Sequence, residues 1–151
     1  IPARGGSKRL HKKNIHNVFG KPMIYWSIKA CLESQYNIEP WVSTEDAEIK
    51  KVALSFGAKV HDRDPALSGD HVYKQAVIRS AAEHIFKKHK KCDIIISLQA
   101  NSPQVKPEHL DSAIDTLIKY KRDEVFSVDN NLMQNAAFRI MKYDSLFLLV
   151  L

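Results

Sequence analysis

The amino-acid sequence predicts an α/β layer fold with a mostly parallel sheet. Three observations carry that expectation. Short β-type runs alternate with stretches of helical periodicity along the chain, the pattern that layers helices against a parallel sheet. The run Ile94-Ile95-Ile96 is apolar at consecutive positions, as in a strand covered on both faces. Four polar loops, at 3–14, 43–46, 62–70 and 99–103, each follow such a run. In open α/β sheets ligands bind beyond the carboxyl ends of the strands, so the four loops are expected to face one site.

Each element has its own reason. Pro22 suits the first turn of a helix, and Met23, Ile24, Ile28, Ala30, Cys31 and Leu32 recur at helical spacing with an exit near Asn37. Residues 38–43 read as a strand whose start Pro40 makes irregular or edge-like. Ser43, Thr44, Glu45 and Asp46 offer caps and first-turn acids for a helix carrying Ile49, Val52, Ala53 and Phe56, closed by Gly57. A brief strand over 58–61 precedes the loop 62–70. A helix over 73–88 turns Ala76, Val77, Ala81, Ile85 and Phe86 to one side, and a strand follows at 93–98. Pro107 opens a helix with Leu110, Ala113, Ile114, Leu117 and Ile118, and strands follow at 125–128 and 138–141.

At 151 residues the chain suits one domain with a genuine core. Apolar and charged fractions of 44% and 26% are those of an ordinary globular protein. A net charge of +6 and a pI near 9.3 favour anionic partners, whether nucleotides, acidic sugars or nucleic acid. Cys31 and Cys92 stand far apart and fit neither a disulfide framework nor a zinc site. No apolar run reaches membrane-spanning length and no signal peptide is seen. A cytoplasmic location is the default expectation. The opening on an apparent strand end and the closing apolar run Leu146-Phe147-Leu148-Leu149-Val150-Leu151 suggest a piece of a longer chain.

The first loop is the chemically richest stretch. Gly5 and Gly6 lie among Arg4, Lys8, Arg9, Lys12 and Lys13. Glycines let a backbone turn its N–H groups into an anion-binding concavity, and Lys and Arg supply charge for phosphate oxygens. The spacing matches neither the Walker loop nor the dinucleotide fingerprint. Composition alone leaves two readings open, a polyphosphate loop and a flexible basic terminus.

Ala3-Arg4-Gly5-Gly6-Ser7-Lys8 with Lys13-Asn14 resembles the signature of the acylneuraminate cytidylyltransferases, the CMP-sialic acid synthetases. Val42-Ser43-Thr44-Glu45-Asp46, Phe56-Gly57-Ala58-Lys59-Val60, Leu98-Gln99-Ala100-Asn101-Ser102-Pro103 and Val125-Phe126-Ser127-Val128 follow in that family's order. The resemblance covers roughly residues 1–128 and extends to synthetases for pseudaminic and legionaminic acids and, less closely, Kdo. It implies a three-layer Rossmann-like nucleotidyltransferase fold, here one domain over 1–151 truncated at both ends. It further implies CMP transfer from CTP to a nine-carbon acidic sugar, Mg²⁺, and a homodimer in the full-length protein, nuclear if the source is an animal.

The same resemblance implies roles. Arg4, Gly5, Gly6, Ser7 and Lys8 would hold phosphates, Lys13 would stabilise the transferred phosphoryl group, and Asn14 would bond ribose or phosphate. Arg63 would lie near the cytosine, with Asp70 in the same loop, and Gln99 would meet the acceptor sugar. Other accounts stand beside these. Arg63 suits a solvated loop cation equally well, and Asp70 reads first as a cap for the following helix. Ser102-Pro103 reads as turn chemistry and Lys87-Lys88-His89-Lys90-Lys91 as a solvated helix end. Trp26 and Trp41 read as packing residues. His11, His61 and His71 show no metal-like spacing.

The chain also departs from the family pattern. His11-Lys12 replaces a Pro-containing pair, Gln104-Val105-Lys106 replaces a Leu-Arg step, and no counterpart of the distal metal-binding Asp-x-Asp appears. Asp144 is isolated, and Asp62 and Asp64 belong to the base-side loop. Two other readings are a nucleotide-binding module of this fold without catalysis and a nucleic-acid-binding domain. The second ranks last, because basic–aromatic interleaving is missing.

Overall fold

The computed structural model describes residues 1–7 and 10–147. Lys8, a predicted phosphate ligand, and the end of the closing apolar run lie outside the described residues. In chain order the elements are β1 (Asn17–Val18), β2 (Lys21–Pro22), α1 (Met23–Leu32), β3 (Trp41–Thr44), α2 (Ala47–Ser55) and β4 (Lys59–Asp62). Then come α3 (Lys74–His89), β5 (Ile94–Leu98), α4 (Pro107–Lys119), β6 (Glu124–Val128) and β7 (Gln134–Lys142). Short 3-10 turns occupy Lys13–Ile15, Pro65–Leu67 and Asp144–Phe147. Among the described residues no helix is long and apolar enough to cross a membrane.

The expected parallel pairing holds in the first half. Ser43 N donates to Ile1 O and Ala3 N to Ser43 O, both at 3.0 Å, so the opening residues run parallel to β3. β3 then pairs in parallel with β4, from Trp41 opposite Lys59 to Thr44 opposite Asp62. The second half differs. β7 lies between β5 and β6 and is antiparallel to both, with a register shift between Phe126 and Val128. Strand–helix alternation reports on crossover connections and carries no signal for a final strand inserted between two earlier ones.

Three layers follow from strand alternation. On β5, Ile95 packs with Ile78 and Ala82 of α3, whereas Leu98 packs with Ala30, Cys31 and Leu110 of α1 and α4. On β7, Met141 faces α3 and Ile140 faces Ala113, Ile114 and Leu117 of α4. A further cluster joins Ala3, Ile24, Ile28, Val42, Ile49 and Ala53, anchoring the first loop's entry to α1 and α2.

Boundaries move for local reasons. β3 starts at Trp41 because the preceding Pro40 has no N–H to offer a ladder. Helix α1 ends at Leu32, short of Asn37. The predicted 138–141 strand is longer, Gln134–Lys142. Phe19 and Gly20, with φ of +53° and +79°, form the two-residue turn of the β1–β2 hairpin, which the Trp26 indole holds by donating to Val18 O at 3.0 Å. Trp41 is buried, as its packing assignment requires.

Candidate active site

Three of the four loops line one cavity, and the 43–46 loop joins them through Glu45. A cavity of about 310 Å³ is lined by Arg4, Ser7, Lys13, Asn14, Arg63 and Asp70, with Gln99, Asn101 and Lys74 completing its wall. Every described site residue predicted from the sequence, apart from Gly5 and Gly6, therefore borders one space. A larger cavity, about 600 Å³, lies elsewhere against Cys31, Trp41, Val77, Ile78 and Ile95. Its wall is mainly apolar and lacks the arginines that a polyphosphate needs.

Glu45 ties this site together. Its carboxylate accepts from Gly5 N at 2.8 Å and from Ser68 Oγ at 2.9 Å, and lies 3.8 Å from the Arg63 guanidinium. One side chain thus joins the first loop, the β3–α2 turn and the loop after β4. Gly5 is glycine for a steric reason: a Cβ there would stand 2.4 Å from Asp46 Oδ2 and 2.9 Å from Asp46 Cβ. Asp46 is fixed because it caps α2, accepting from the N–H groups of Glu48 and Ile49 at 2.9 Å. Gly6 has nothing within 4 Å of such a Cβ.

The amides are placed differently from a preformed phosphate cradle. Gly5 N–H is engaged by Glu45, and Ser7 N–H donates to Gly5 O at 2.9 Å. Asn14 is buried and its side-chain nitrogen donates to Arg4 O at 3.0 Å, which braces the loop from beneath. Lys13 opens a 3-10 turn and lines the cavity. Gln99 is fixed through its backbone, donating to Ala137 O and accepting from Ser27 Oγ at 2.7 Å.

Two readings of the base-side loop are corrected. Arg63 is not a solvated cation: it is 6% exposed. It donates to Ser43 Oγ at 3.2 Å and to Ser43 O, and burial lowers its pKa from the ordinary arginine value while Glu45 opposes that shift. Asp70 is not a helix cap. The residue before α3 is Tyr73, which provides no side-chain cap, and Asp70 instead accepts from Arg4 at 2.7 Å.

Ser43 connects Arg63 to a histidine. Its hydroxyl lies 3.0 Å from His61 Nδ1, and the His61 ring stacks at a tilt on His84, centroids 5.1 Å apart. Burial first, then His84 and Arg63, lower the His61 pKa from its usual value.

Among the described residues no three His, Cys, Asp or Glu side chains come together as a metal site. Asp70, which lines the cavity, is engaged by Arg4, and Glu45 behind it by Gly5, Ser68 and Arg63. The residues present do not fit a protein-held magnesium.

A family model described as Cytidylyltransferase matches residues 1–148. The chain belongs to the cytidylyltransferase family. The N-acylneuraminate cytidylyltransferase A of Danio rerio is 43% identical over 128 residues, 85% of this chain and 29% of that protein. The pseudaminic acid cytidylyltransferase of Campylobacter jejuni subsp. jejuni serotype O:2 is 38% identical over 128 residues, 84% of this chain and 55% of that protein. The chain therefore spans about a third to about half of the length of these relatives. The solved cytidylyltransferase of Leptospira borgpetersenii superposes with a TM-score of 0.73 at 18% identity, covering 96% of this chain and 59% of that one. The CMP:2-keto-3-deoxy-manno-octonic acid synthetase complexed with CTP gives 0.70 at 20% identity, with 96% and 73% covered. These two likenesses concern the fold alone.

Two residues of this site escape the sequence reading. Glu45 is indistinguishable in the sequence from an ordinary first-turn acid. Lys74 left a trace: a cation at the start of a helix opposes the helix dipole.

Proposed function

We propose that the full-length protein transfers CMP from CTP to the anomeric hydroxyl of a sialic-type, nonulosonic acid and releases pyrophosphate. The observation that carries this reading is the convergence of Arg4, Lys13, Arg63 and Lys74 on one cavity lined by three of the four loops and the start of α3. The names of the relatives, which act on N-acylneuraminate and pseudaminic acid, support the acceptor class.

In the reaction the anomeric oxygen attacks the α-phosphorus, the bond to the β-phosphate bridging oxygen breaks, pyrophosphate leaves, and the hydroxyl proton is lost. Phosphoryl-group transfer of this kind asks mainly for positioning and charge neutralisation. Arg4 and Lys13 would hold the phosphates, with Lys13 contributing most as charge develops. Gly5, Gly6, Ser7, Lys8 and Asn14 would shape the loop around them, Arg63 and Asp70 would border the base, and Gln99 would meet the acceptor. Magnesium would arrive on the nucleotide, since no ligand set for it gathers among the described residues. A homodimer and a cytoplasmic setting belong to the same proposal.

The test is pyrophosphate release from CTP by the full-length protein with N-acetylneuraminic, pseudaminic and 3-deoxy-manno-octulosonic acids. Release that depends on one of these acids supports the proposal. CTP binding with no release would favour a non-catalytic nucleotide-binding module, and steeply salt-dependent oligonucleotide binding without CTP selectivity would overturn both.

A further inference from the structure

The strand register places a histidine behind the nucleotide cavity. In the parallel β3–β4 ladder Ser43 stands opposite His61, and Arg63 follows two residues later, so alternation returns it to the same face. All three are buried, with exposures of 3%, 6% and 6%. Ser43 Oγ lies 3.0 Å from His61 Nδ1 and accepts from Arg63 Nε at 3.2 Å, while Ser43 O accepts from Arg63 Nη2. Arg63 borders the nucleotide cavity and His61 does not.

We propose that His61 is a positioning residue for the nucleotide: its neutral ring orients the Ser43 hydroxyl, the hydroxyl holds Arg63, and protonation of the ring loosens that arginine and lowers affinity for the nucleotide. The inference rests on the proposed transferase reading and adds a residue to it.

The proton count fixes the direction of these bonds. A serine hydroxyl has one proton and two lone pairs, and an arginine only donates. Arg63 Nε–H therefore takes one lone pair of Ser43 Oγ, and the hydroxyl proton points to His61 Nδ1. Nδ1 is then the bare nitrogen of a neutral ring. A proton on it would make it a second donor to the same oxygen. The buried hydroxyl would face two cations and lose the acceptor for its own proton, and a buried O–H without an acceptor is costly.

The surroundings already disfavour the charged ring. The groups that face His61 are His84 from α3, Arg63 and Asp62 beside it in the chain, and the Ile1 amino group from the opening residues. Burial, then His84 and Arg63, hold the ring below the ordinary histidine value. Asp62 opposes them, and its carboxylate accepts from Lys50 at 2.6 Å. Burial holds the Ile1 amine down to about 5, so it carries no charge at pH 7. His61 is thus neutral at pH 7 and takes its proton below the ordinary value of about 6.5.

Calorimetric CTP titration of the full-length protein between pH 7.5 and 5.5 tests the relay, with His61→Phe and His61→Asn beside wild type. Phenylalanine keeps a ring and removes the acceptor. Asparagine loses volume but can present Oδ1 where Nδ1 stands. At pH 7.5 His61→Phe should bind CTP about three- to tenfold more weakly, as for one lost hydrogen bond, and His61→Asn should stay closer to wild type. A residue that only fills space would give the reverse order. As pH falls, wild type should lose about threefold or more affinity beyond the loss in His61→Asn, because protonation of the nucleotide itself is common to both. In nucleotide-free protein, the Arg63 Nε–H resonance should shift with titration of the His61 ring in wild type and stay still over that range in His61→Asn. An Arg63 resonance indifferent to His61, equal pH dependence in wild type and His61→Asn, or the reverse order of the two variants overturns the relay. A protein that takes up no CTP at any pH refutes the transferase reading instead, and the Arg63 resonance still decides whether His61 holds the arginine.

Discussion

Replacing Gly5 by alanine is expected to damage the site through α2 rather than through the loop itself. The new Cβ would stand 2.4 Å from Asp46 Oδ2 and 2.9 Å from Asp46 Cβ, so Asp46 must move. Moving it breaks the cap on Glu48 N and Ile49 N, worth about 0.5–2 kcal/mol. It also pulls Gly5 N–H from the Glu45 carboxylate, a charged hydrogen bond worth about 1.5–3 kcal/mol. Gly5→Ala should therefore cost about 2–5 kcal/mol, whereas Gly6→Ala, with open space around its Cβ position, should stay within about 0.5 kcal/mol. The assay is urea unfolding of a double-mutant cycle. Asp46→Gly removes the obstructing atoms and, since glycine is a tolerable cap, costs only a few tenths of a kcal/mol relative to the native cap. In that background Gly5→Ala should lose at least about 1 kcal/mol of its cost. Additive effects would refute the steric account, and so would equal costs for Gly5→Ala and Gly6→Ala.

Lys13→Ala in the full-length protein should reduce turnover far more than CTP affinity, because its charge matters most in the transition state; steady-state rates beside calorimetric CTP titration check this, and surviving turnover removes the role. Arg4→Ala should weaken CTP binding, whereas loss of its half-exposed pair with Asp70 should cost the fold no more than about 1 kcal/mol; unchanged affinity takes Arg4 out of the phosphate site. His61 has a lowered pKa in the folded protein, so the unfolded chain takes up its proton first as pH falls. Stability contributed by neutral His61 is present above the unfolded value of about 6.5 and is lost below it. Urea midpoints between pH 8 and 5 should fall on the acid side, and the fall should be smaller in His61→Gln; an identical profile would exclude His61.

The loops were legible in the sequence because their chemistry is local. Glycines next to cations, a Ser-Thr-Glu-Asp helix entry and an Asn-Ser-Pro turn each announce a loop, and alternation says on which edge they gather. The pairings across loops were not legible. Nothing near Asp70 indicates that Arg4, 66 positions away, is its partner. Arg63 looked like a surface cation because arginines in polar loops usually are; its burial depends on Ser43 and Glu45, contributed by β3 and the turn after it. The antiparallel β7 was missed in direction for the same reason: strand order is set by which edges remain to be covered, and that is a property of the whole sheet.

Those cross-loop pairings bear on how the site would work. Arg4 and Arg63 each already face a carboxylate, from Asp70 and Glu45. Like-charged cations left facing each other would push the loops apart, and the two acids offset that repulsion. An entering triphosphate would then exchange with the Asp70 carboxylate at little cost in loop ordering, because the backbone is already fixed. The partners also differ in kind. Asp70 and Arg4 are about a third exposed, so that pair can open. Glu45 is anchored by a backbone N–H and a hydroxyl as well as by a buried arginine, so it stays. On this reasoning Arg4 would be the cation that moves onto the nucleotide, and Arg63 part of the wall against which it closes.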